Sequence, residues 1–171
     1  MNRVEVSTVV YLPAEDVYQF LLEFSGYASY SEHLRSVRQF GDGGPGTTYE
    51  LTFAWWKLKY TARSEVTEVD PPNRIEWRLT KDIDAGGRWL VESKESDESG
   101  ERPKTEVTFV VEYAPGSADD GIIDLPRFVS LGWVVERIKP KIRAEAEHIV
   151  RRVVADLEGE PRDITLQIET A

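Results

Sequence analysis

The sequence predicts an α+β domain in which a curved antiparallel sheet of about six or seven strands packs around one long C-terminal helix. Two observations support this prediction. Between residues 48 and 113, apolar and polar residues alternate in successive short segments that are separated by glycine, proline and acidic turn residues. Between Pro126 and Glu158, apolar residues instead recur every three or four positions, which is typical of an amphipathic helix.

The N-terminal region predicts one strand followed by two short helices. Residues Arg3 to Tyr11 are rich in β-branched side chains, which favour a strand. Pro13, followed by Glu15 and Asp16, is typical of a first helical turn, because the helix dipole favours acids there. A second short helix or turn is predicted from Tyr27 to Leu34. The apolar stripe of the first helix consists of Val17, Phe20, Leu21 and Phe24.

The alternation in the central region predicts one apolar and one polar face. Successive side chains of a strand point to opposite sides, so every second residue shares a face. The short connections between the strands imply an antiparallel meander. The polar face carries Arg63, Glu76 and Arg78. The predicted apolar face carries Tyr49, Leu51, Phe53, Trp55, Tyr60, Ala62, Ser64, Val66, Ile75, Trp77, Leu79, Trp89, Val91, Val107, Phe109, Val111 and Tyr113.

The C-terminal region predicts the long helix and a short tail. Pro140 lies inside this helix and removes one backbone donor, so we expect a kink in the preceding turn. We assign residues 1–158 to one domain. The tail, residues 159–171, is compatible with an added edge strand or with an irregular segment. The apolar stripe of the helix consists of Phe128, Leu131, Val135, Ile138, Ile142, Ile149 and Val153.

Composition argues against several classes of protein. The chain has 31 Asp and Glu residues against 21 Lys and Arg, and its net charge of −10 repels nucleic-acid backbones. Cysteine is absent, which excludes disulfides and thiolate chemistry. No apolar stretch is long enough to span a membrane, and the N-terminus lacks the apolar core of a signal peptide. We therefore expect a cytoplasmic protein, with the acidic surface that is typical of halophilic organisms.

The chemical motifs in the chain are weak. Residues Gly41 to Gly46 have the spacing G-x-G-x-x-G, but a strand follows them instead of the helix that a nucleotide site needs. We therefore predict a hairpin turn. No serine lies in a Gly-x-Ser-x-Gly turn. The two histidines, His33 and His148, are far apart in the sequence, and His148 is predicted on the solvent side of the last helix. We predict neither a metal site nor a cofactor.

The order of these elements resembles the START-like superfamily with its helix-grip fold, in particular the polyketide cyclase/dehydrase and lipid-transport branch. The resemblance covers residues 3 to about 157, although residues 114–125 form a longer connection than is usual in the family. It implies a cavity between sheet and helix that holds a hydrophobic small molecule. It rests on residues 9–18 at the first strand-to-helix step, on Tyr27-Ala28-Ser29-Tyr30, on the turn that ends at Gly46, and on Val69-Asp70-Pro71-Pro72-Asn73-Arg74-Ile75.

The aromatic residues of the apolar face indicate where such a molecule would bind. Pockets for apolar ligands are lined by aromatic side chains with a few polar groups that orient the ligand. Tyr49 and Tyr60 are candidates to hydrogen-bond its polar end, followed by Ser64 and Ser93. A packed core is the alternative interpretation of these aromatic residues. The predicted ligand-binding residues are Tyr49, Leu51, Phe53, Tyr60, Trp77, Trp89, Phe109, Phe128, Leu131 and Val135.

We therefore predict that the protein binds or carries a hydrophobic molecule, such as a lipid, an isoprenoid quinone or a polyketide-like compound. One alternative is an enzyme of the cyclase/dehydratase type, which needs a proton-transferring group that faces the cavity. A second alternative is a protein-interaction module with an exposed surface of Trp55, Trp56 and Trp133. Because Trp55 and Trp56 are followed by Lys57 and Lys59, this surface also suits a transient membrane contact or a homodimer.

Overall fold

The computed structural model describes residues 2–22, 34–55, 58–81, 84–94, 103–114, 144, 147–159, 164 and 167–170. A helix at residues 147–158, called the C-terminal helix below, precedes the last strand. Within the described segments, no helix is long and apolar enough to cross a membrane. The other elements are, in chain order, β1 (Asn2–Val10), α1 (Ala14–Leu22), β2 (Leu34–Phe40), β3 (Thr48–Trp55), β4 (Leu58–Asp70), β5 (Arg74–Leu79), β6 (Ala85–Lys94), β7 (Lys104–Tyr113) and β8 (Gln167–Thr170).

The strands form one antiparallel sheet in the order β2-β3-β4-β5-β6-β7-β1-β8. Strands β2 to β7 are the predicted meander, in which each strand pairs with the next. Strand β1 pairs with β7 along its whole length, from Asn2 opposite Tyr113 to Val10 opposite Thr105. This arrangement confirms the predicted α+β fold with its antiparallel sheet.

The edges of the sheet were predicted less fully than its centre. The tail forms the edge strand β8, one of its two predicted alternatives, with Ile168 opposite Val6, and the sheet has eight strands where six or seven were predicted. The alternation does not delimit β2, because this edge strand is largely exposed and polar residues occupy both of its faces. Of the second predicted helix, Leu34 begins β2, and the remaining residues lie outside the described part of the chain.

One face of the sheet, called the inner face below, packs against α1 and the C-terminal helix. The cross-strand register brings the predicted apolar residues together on it. Tyr49 of β3 lies opposite Ser64 of β4, and Trp89 of β6 lies opposite Phe109 of β7. Since directly opposite residues share a face, the register confirms that the alternating residues of different strands form one continuous surface.

The buried core lies between the inner face, α1 and the C-terminal helix. Ile75 of β5 is completely shielded from water, and Val154 of the C-terminal helix is 1% exposed. Burying one aliphatic side chain of this size stabilises a fold by about 1.5–3 kcal/mol. The core cluster consists of Val10, Ala14, Val17, Tyr18, Leu21, Tyr49, Val66, Ile75, Val91 and Val154.

The C-terminal helix packs against this core through Val150, Val154 and Leu157. The predicted stripe named Ile149 and Val153, which are half-buried like Val150 and Leu157, but the fully buried residue of this helix is Val154, one position further along. Apolar residues occupy both sets of positions and make the apolar side wide. The spacing of apolar residues therefore shows which side of the helix faces the core, but not which residues lie at the centre of that contact.

The end of the C-terminal helix is tied to the loop after β1. Glu158 Oε2 accepts a hydrogen bond from the backbone N–H of Tyr11 at 3.0 Å. The helix stops at Gly159, whose φ of 82° favours glycine and whose N–H donates to the carbonyl of Ala155 at 2.9 Å. The first bond connects the last turn of the helix to the residue after β1, and the second closes that turn. The upstream part of the predicted helix, including Pro140, lies outside the described residues.

The opposite, outer face of the sheet carries charged side chains in cross-strand pairs. Glu50 lies 2.7 Å from Arg63 on one neighbouring strand and 3.7 Å from Arg38 on the other. Arg78 lies 3.3 Å from Glu65. These positions confirm the predicted polar face for Arg63 and Arg78. Because exposed ion pairs contribute about 0–1 kcal/mol each, stability depends mainly on burial at the inner face.

The glycine-rich segment between β2 and β3 is a hairpin turn, as predicted. Gly43 and Gly46 have φ values of 98° and 90°, which favour glycine. The N–H of Gly43 donates to Thr47 Oγ1 at 3.0 Å, and the N–H of Gly46 donates to the carbonyl of Val66 at 2.8 Å. Both backbone N–H groups therefore already donate to acceptors within the protein. A phosphate site would need such groups to donate to the phosphate oxygens instead.

Candidate functional site

Burial on the inner face falls steadily along the β3–β4 hairpin. Tyr49 is 2% exposed and belongs to the core cluster. Leu51, two residues further along β3, is half-buried. Phe53, opposite the half-buried Tyr60, is 40% exposed. The described part of the inner face is therefore closed at Tyr49 and open at Phe53.

Three aromatic side chains form a wall beside the buried core. The wall consists of Trp77 on β5, Trp89 on β6 and Phe109 on β7, all of which are half-buried. The rings of Trp77 and Phe109 are nearly parallel, at 13°, with centroids 5.8 Å apart. Trp89 contacts Phe109 at a centroid distance of 4.4 Å and a tilt of 39°. Such offset and tilted contacts are favourable between aromatic rings, so the wall is a preformed surface.

Gly87 provides the space that the Trp77 ring occupies. The two residues lie directly opposite each other on β6 and β5. A Cβ atom at position 87 would lie 2.8 Å from Cζ2 of Trp77 and would overlap the carbonyl oxygen of Val110. The absence of a side chain at Gly87 therefore lets the indole lie against the sheet. Sequence reasoning missed this residue, although a glycine inside a strand is a recognised sign of close packing.

Tyr49 places a neutral hydroxyl at the closed end of the inner face. Burial, and secondly the carboxylate of Asp42 in the hairpin turn, raise the pKa of Tyr49 to about 12. The phenol therefore stays protonated at neutral pH and is suited to donate a hydrogen bond. Ser64, its cross-strand neighbour, is also buried, whereas Ser93 is exposed. Of the two serines, Ser64 is the better placed beside Tyr49.

Six of the described strands contribute an uncharged surface to the inner face. By register, the strands β1 and β3 to β7 place no Asp, Glu, Lys, Arg or His on it. The nearest cation observed at its open end is Lys81, whose Nζ lies 6.0 Å from the centroid of the Tyr60 ring. The polar groups that these strands present include hydroxyls and the indole N–H groups of Trp77 and Trp89. Such a surface suits an uncharged or weakly polar molecule.

The structure gathers seven of the ten predicted binding residues on one face. Tyr49, Leu51, Phe53 and Tyr60 follow the hairpin, and the other three are the aromatic wall. His148 is exposed, as expected for the solvent side of the helix. Several predicted residues lie outside the described positions, or have side chains that do, and for them the predictions stand untested: His33, Trp55, Trp56, Phe128, Leu131, Trp133 and Val135.

Comparison with known proteins agrees with this architecture. The family described as polyketide cyclase / dehydrase and lipid transport matches residues 1–154. The fold is similar to that of the Zhui aromatase/cyclase from Streptomyces sp. R1128, with a TM-score of 0.64 and 16% identity over 92% of this chain and 94% of that chain. No curated protein matches the sequence.

Two further solved structures share the fold. A protein from Thermus thermophilus has a TM-score of 0.61 and 15% identity over 92% of this chain and 97% of that chain. The di-domain ARO/CYC StfQ from the steffimycin biosynthetic pathway has a TM-score of 0.59 and 14% identity over 92% of this chain and 51% of that chain. At these identities, the structural likeness establishes the fold alone.

Proposed function

Because this chain belongs to the polyketide cyclase/dehydrase and lipid transport family, we propose that it binds a hydrophobic small molecule between the inner face of its sheet and its C-terminal helix, and carries it unchanged. The site consists of the aromatic wall and the open end of the β3–β4 hairpin. A lipid, an isoprenoid quinone or a polyketide-like compound has the apolar surface that this site would cover. The observation that carries the proposal is a half-buried aromatic surface on which strands β1 and β3 to β7 place no charged side chain.

Partial exposure of the aromatic wall supports a binding site over a closed core. Next to the wall, Ile75 and Val91 are 0% and 2% exposed, so the sheet and helices can bury side chains completely where they pack. Trp77 and Phe109 lie on the same face but outside the core cluster. Large aromatic side chains that remain partly accessible beside a dry core are typical of ligand pockets.

The uncharged inner face also favours binding over acid–base catalysis. A cyclase or dehydratase needs a group that exchanges protons near neutral pH, most often His, Asp, Glu or Lys. The described inner-face strands offer hydroxyls instead, and the raised pKa of Tyr49 makes this phenol a poor base at neutral pH. These features support a carrier. A proton-transferring group that reaches the site from another part of the chain would instead favour the alternative, a cyclase or dehydratase.

A matched pair of tryptophan substitutions tests this function. Leu79 on β5 is half-buried on the inner face, and its neighbour Arg78 is exposed on the outer face. Leu79→Trp should fill the proposed site and weaken the binding of 1-anilinonaphthalene-8-sulfonate by about tenfold or more, which corresponds to roughly 1.4 kcal/mol. Arg78→Trp adds the same ring to the other face and should leave the affinity of this fluorescent probe unchanged.

Titration of native protein well below the onset of thermal unfolding is the required measurement, because partly unfolded protein also exposes apolar surface. Circular dichroism melts show whether both variants are folded. Equal affinities in the wild type and both variants would place the probe elsewhere and contradict the proposed site. Probe uptake by the wild type only above the onset of unfolding would mean that side chains fill the space.

A further inference from the structure

Basic residues are concentrated in one part of this acidic chain. The segment from Arg35 to Arg63 has five of the 21 Lys and Arg residues but only two of the 31 acids, whereas the rest of the chain has 16 bases and 29 acids. This segment covers most of β2, all of β3 and the first half of β4. The chain therefore has a locally positive region despite its net charge of −10.

The sheet gathers these basic residues around the open end of the inner face. Arg35 lies at the bulge of β2, next to the residue that pairs with Phe53. Lys59 lies on the outer face of β4 and directly precedes Tyr60, which pairs with Phe53. Arg35 and Lys59 are exposed, and neither forms an ion pair with another described residue. Lys81 adds a third cation, with its Nζ 6.0 Å from the centroid of the Tyr60 ring.

Nearby acids neutralise only part of this charge. Glu50 lies 2.7 Å from Arg63 and 3.7 Å from Arg38, so two exposed guanidinium groups share one carboxylate. Asp84 follows Lys81 by three residues and offsets one further charge. Five bases thus lie near two acids at this end of the sheet. The basic end, as we call it below, consists of Arg35, Arg38, Lys59, Arg63 and Lys81.

An exposed aromatic side chain accompanies these cations. Phe53 is 40% exposed, and Tyr60 opposite it is half-buried. Aromatic residues beside Lys and Arg are typical of surfaces that meet an anionic bilayer, where the ring lies at the level of the headgroups and the cations attract the lipid phosphates. An acidic protein would be attracted by the charge, but the attraction would not account for an exposed ring at the same place.

We propose that the basic end docks the protein on an anionic membrane, with Phe53 at the level of the lipid headgroups. Docking would place the open end of the inner face against the bilayer, so that a hydrophobic molecule enters or leaves without crossing water. The docking surface goes beyond the proposed function, because it consists of outer-face and edge residues that the ligand site does not use.

The net charge of the chain does not prevent this docking. The Debye length is about 8 Å at physiological ionic strength, so a membrane responds mainly to the charges closest to it. Glu65, the first acid after Lys59 on β4, is six residues away, which is about 20 Å along a strand. It also pairs with Arg78 at 3.3 Å. The acids outside the basic end are therefore largely screened from a membrane that contacts this end.

Co-sedimentation with lipid vesicles tests the proposal. The wild type should bind vesicles of phosphatidylcholine mixed with phosphatidylglycerol, and should bind pure phosphatidylcholine vesicles at least about tenfold more weakly. Each Lys or Arg near an anionic surface contributes about fivefold to binding, so Arg35→Gln/Lys59→Gln should weaken binding to the mixed vesicles roughly ten- to thirtyfold. High salt should have a similar effect, because it screens the same attraction.

Lys94→Gln/Lys104→Gln is the matched control, because it removes the same charge from the outer face. These two lysines lie opposite each other at the end of β6 that is away from Lys81. The control should change vesicle binding by less than about twofold, because its lysines lie several Debye lengths from the docked membrane. Thermal melts followed by circular dichroism establish that both variants are folded.

The outcomes separate docking from ligand binding. Leu79→Trp fills the proposed ligand site and should still bind the mixed vesicles like the wild type. Equal binding of the wild type to both kinds of vesicle, or equal losses in the two charge variants, would overturn the docking surface and leave the proposed function intact. Binding to poly-L-glutamate but not to the mixed vesicles, with the same dependence on Arg35 and Lys59, would also overturn it and assign the basic end to an acidic protein.

Discussion

Replacement of Ile75 by alanine should lower the free energy of unfolding by about 2–5 kcal/mol, the range for removing a large aliphatic side chain from a packed core. Ile75 is 0% exposed and lies in the cluster that joins the sheet to α1 and the C-terminal helix. Its neighbours come from several elements of the fold, so they cannot collapse into the space easily. Urea denaturation, followed by circular dichroism, measures the change.

Phe109→Ala should lower the free energy of unfolding by clearly less than about 3–5 kcal/mol, the range for removing a fully packed phenylalanine. We expect this although the ring is larger than the Ile75 side chain. Phe109 lies two strands from Ile75 on the same face, and Trp89 lies between them. Its ring contacts Trp77 and Trp89 and is half-buried, so part of its surface has no packing partner to lose. The same expectation holds for Trp77→Ala. A loss in the full core range at either position would mean that the ring is packed on all sides, and would count against a binding site there.

Gly87→Ala should destabilise the protein by more than about 3 kcal/mol, at or above the upper end of the usual range for overpacking. The added methyl group would overlap the carbonyl oxygen of Val110 and lie 2.8 Å from the Trp77 ring. A backbone oxygen in a strand cannot move without disturbing the pairing of β6 with β7. The variant should therefore fold poorly, or fold with the Trp77 ring displaced.

Gly86→Ala is the control for this substitution, because it adds the same atom to the adjacent residue on the outer face. The nearest atom to its Cβ would be the carbonyl oxygen of Trp77 at 3.1 Å, so this variant needs a much smaller backbone shift than Gly87→Ala. Alanine also restricts the unfolded chain more than glycine does. This effect stabilises the folded state by about 0.4–1 kcal/mol and offsets part of the cost of the close contact. Similar denaturation midpoints for the two variants would show that Gly87 is not needed for the placement of Trp77.

The inner face could be predicted from the sequence because strand geometry has a simple period. Tyr49, Trp77 and Phe109 lie in different strands, and the alternation placed each on the apolar side independently. Antiparallel pairing then brings residues of the same side together, without any information about the turns. The hairpin turn at the glycine-rich segment was likewise predictable. A strand follows this segment in the sequence, whereas a phosphate site would need a helix there.

Other features were not predictable because they depend on contacts between distant residues. Strand β8 stayed one of two alternatives for the tail, because its formation depends on Ile168 and its neighbours pairing with the free edge of β1, more than 150 residues away in the sequence. Which residues of the C-terminal helix pack against the core, at Val150 and Val154, depends on how the helix lies on the sheet. Nor can an alternation pattern show that the Trp77 N–H has no acceptor among the described residues, or that Gly87 makes room for the Trp77 ring.

Native mass spectrometry of freshly purified protein is the most direct test of the proposal that the chain binds a hydrophobic molecule. We expect a complex heavier than the chain, which releases a lipophilic compound when the protein is denatured. Leu79→Trp should yield the mass of the chain alone, and Arg78→Trp should retain the compound. A wild-type protein that shows only its own mass, and that takes up no apolar probe until it begins to unfold, would contradict the account.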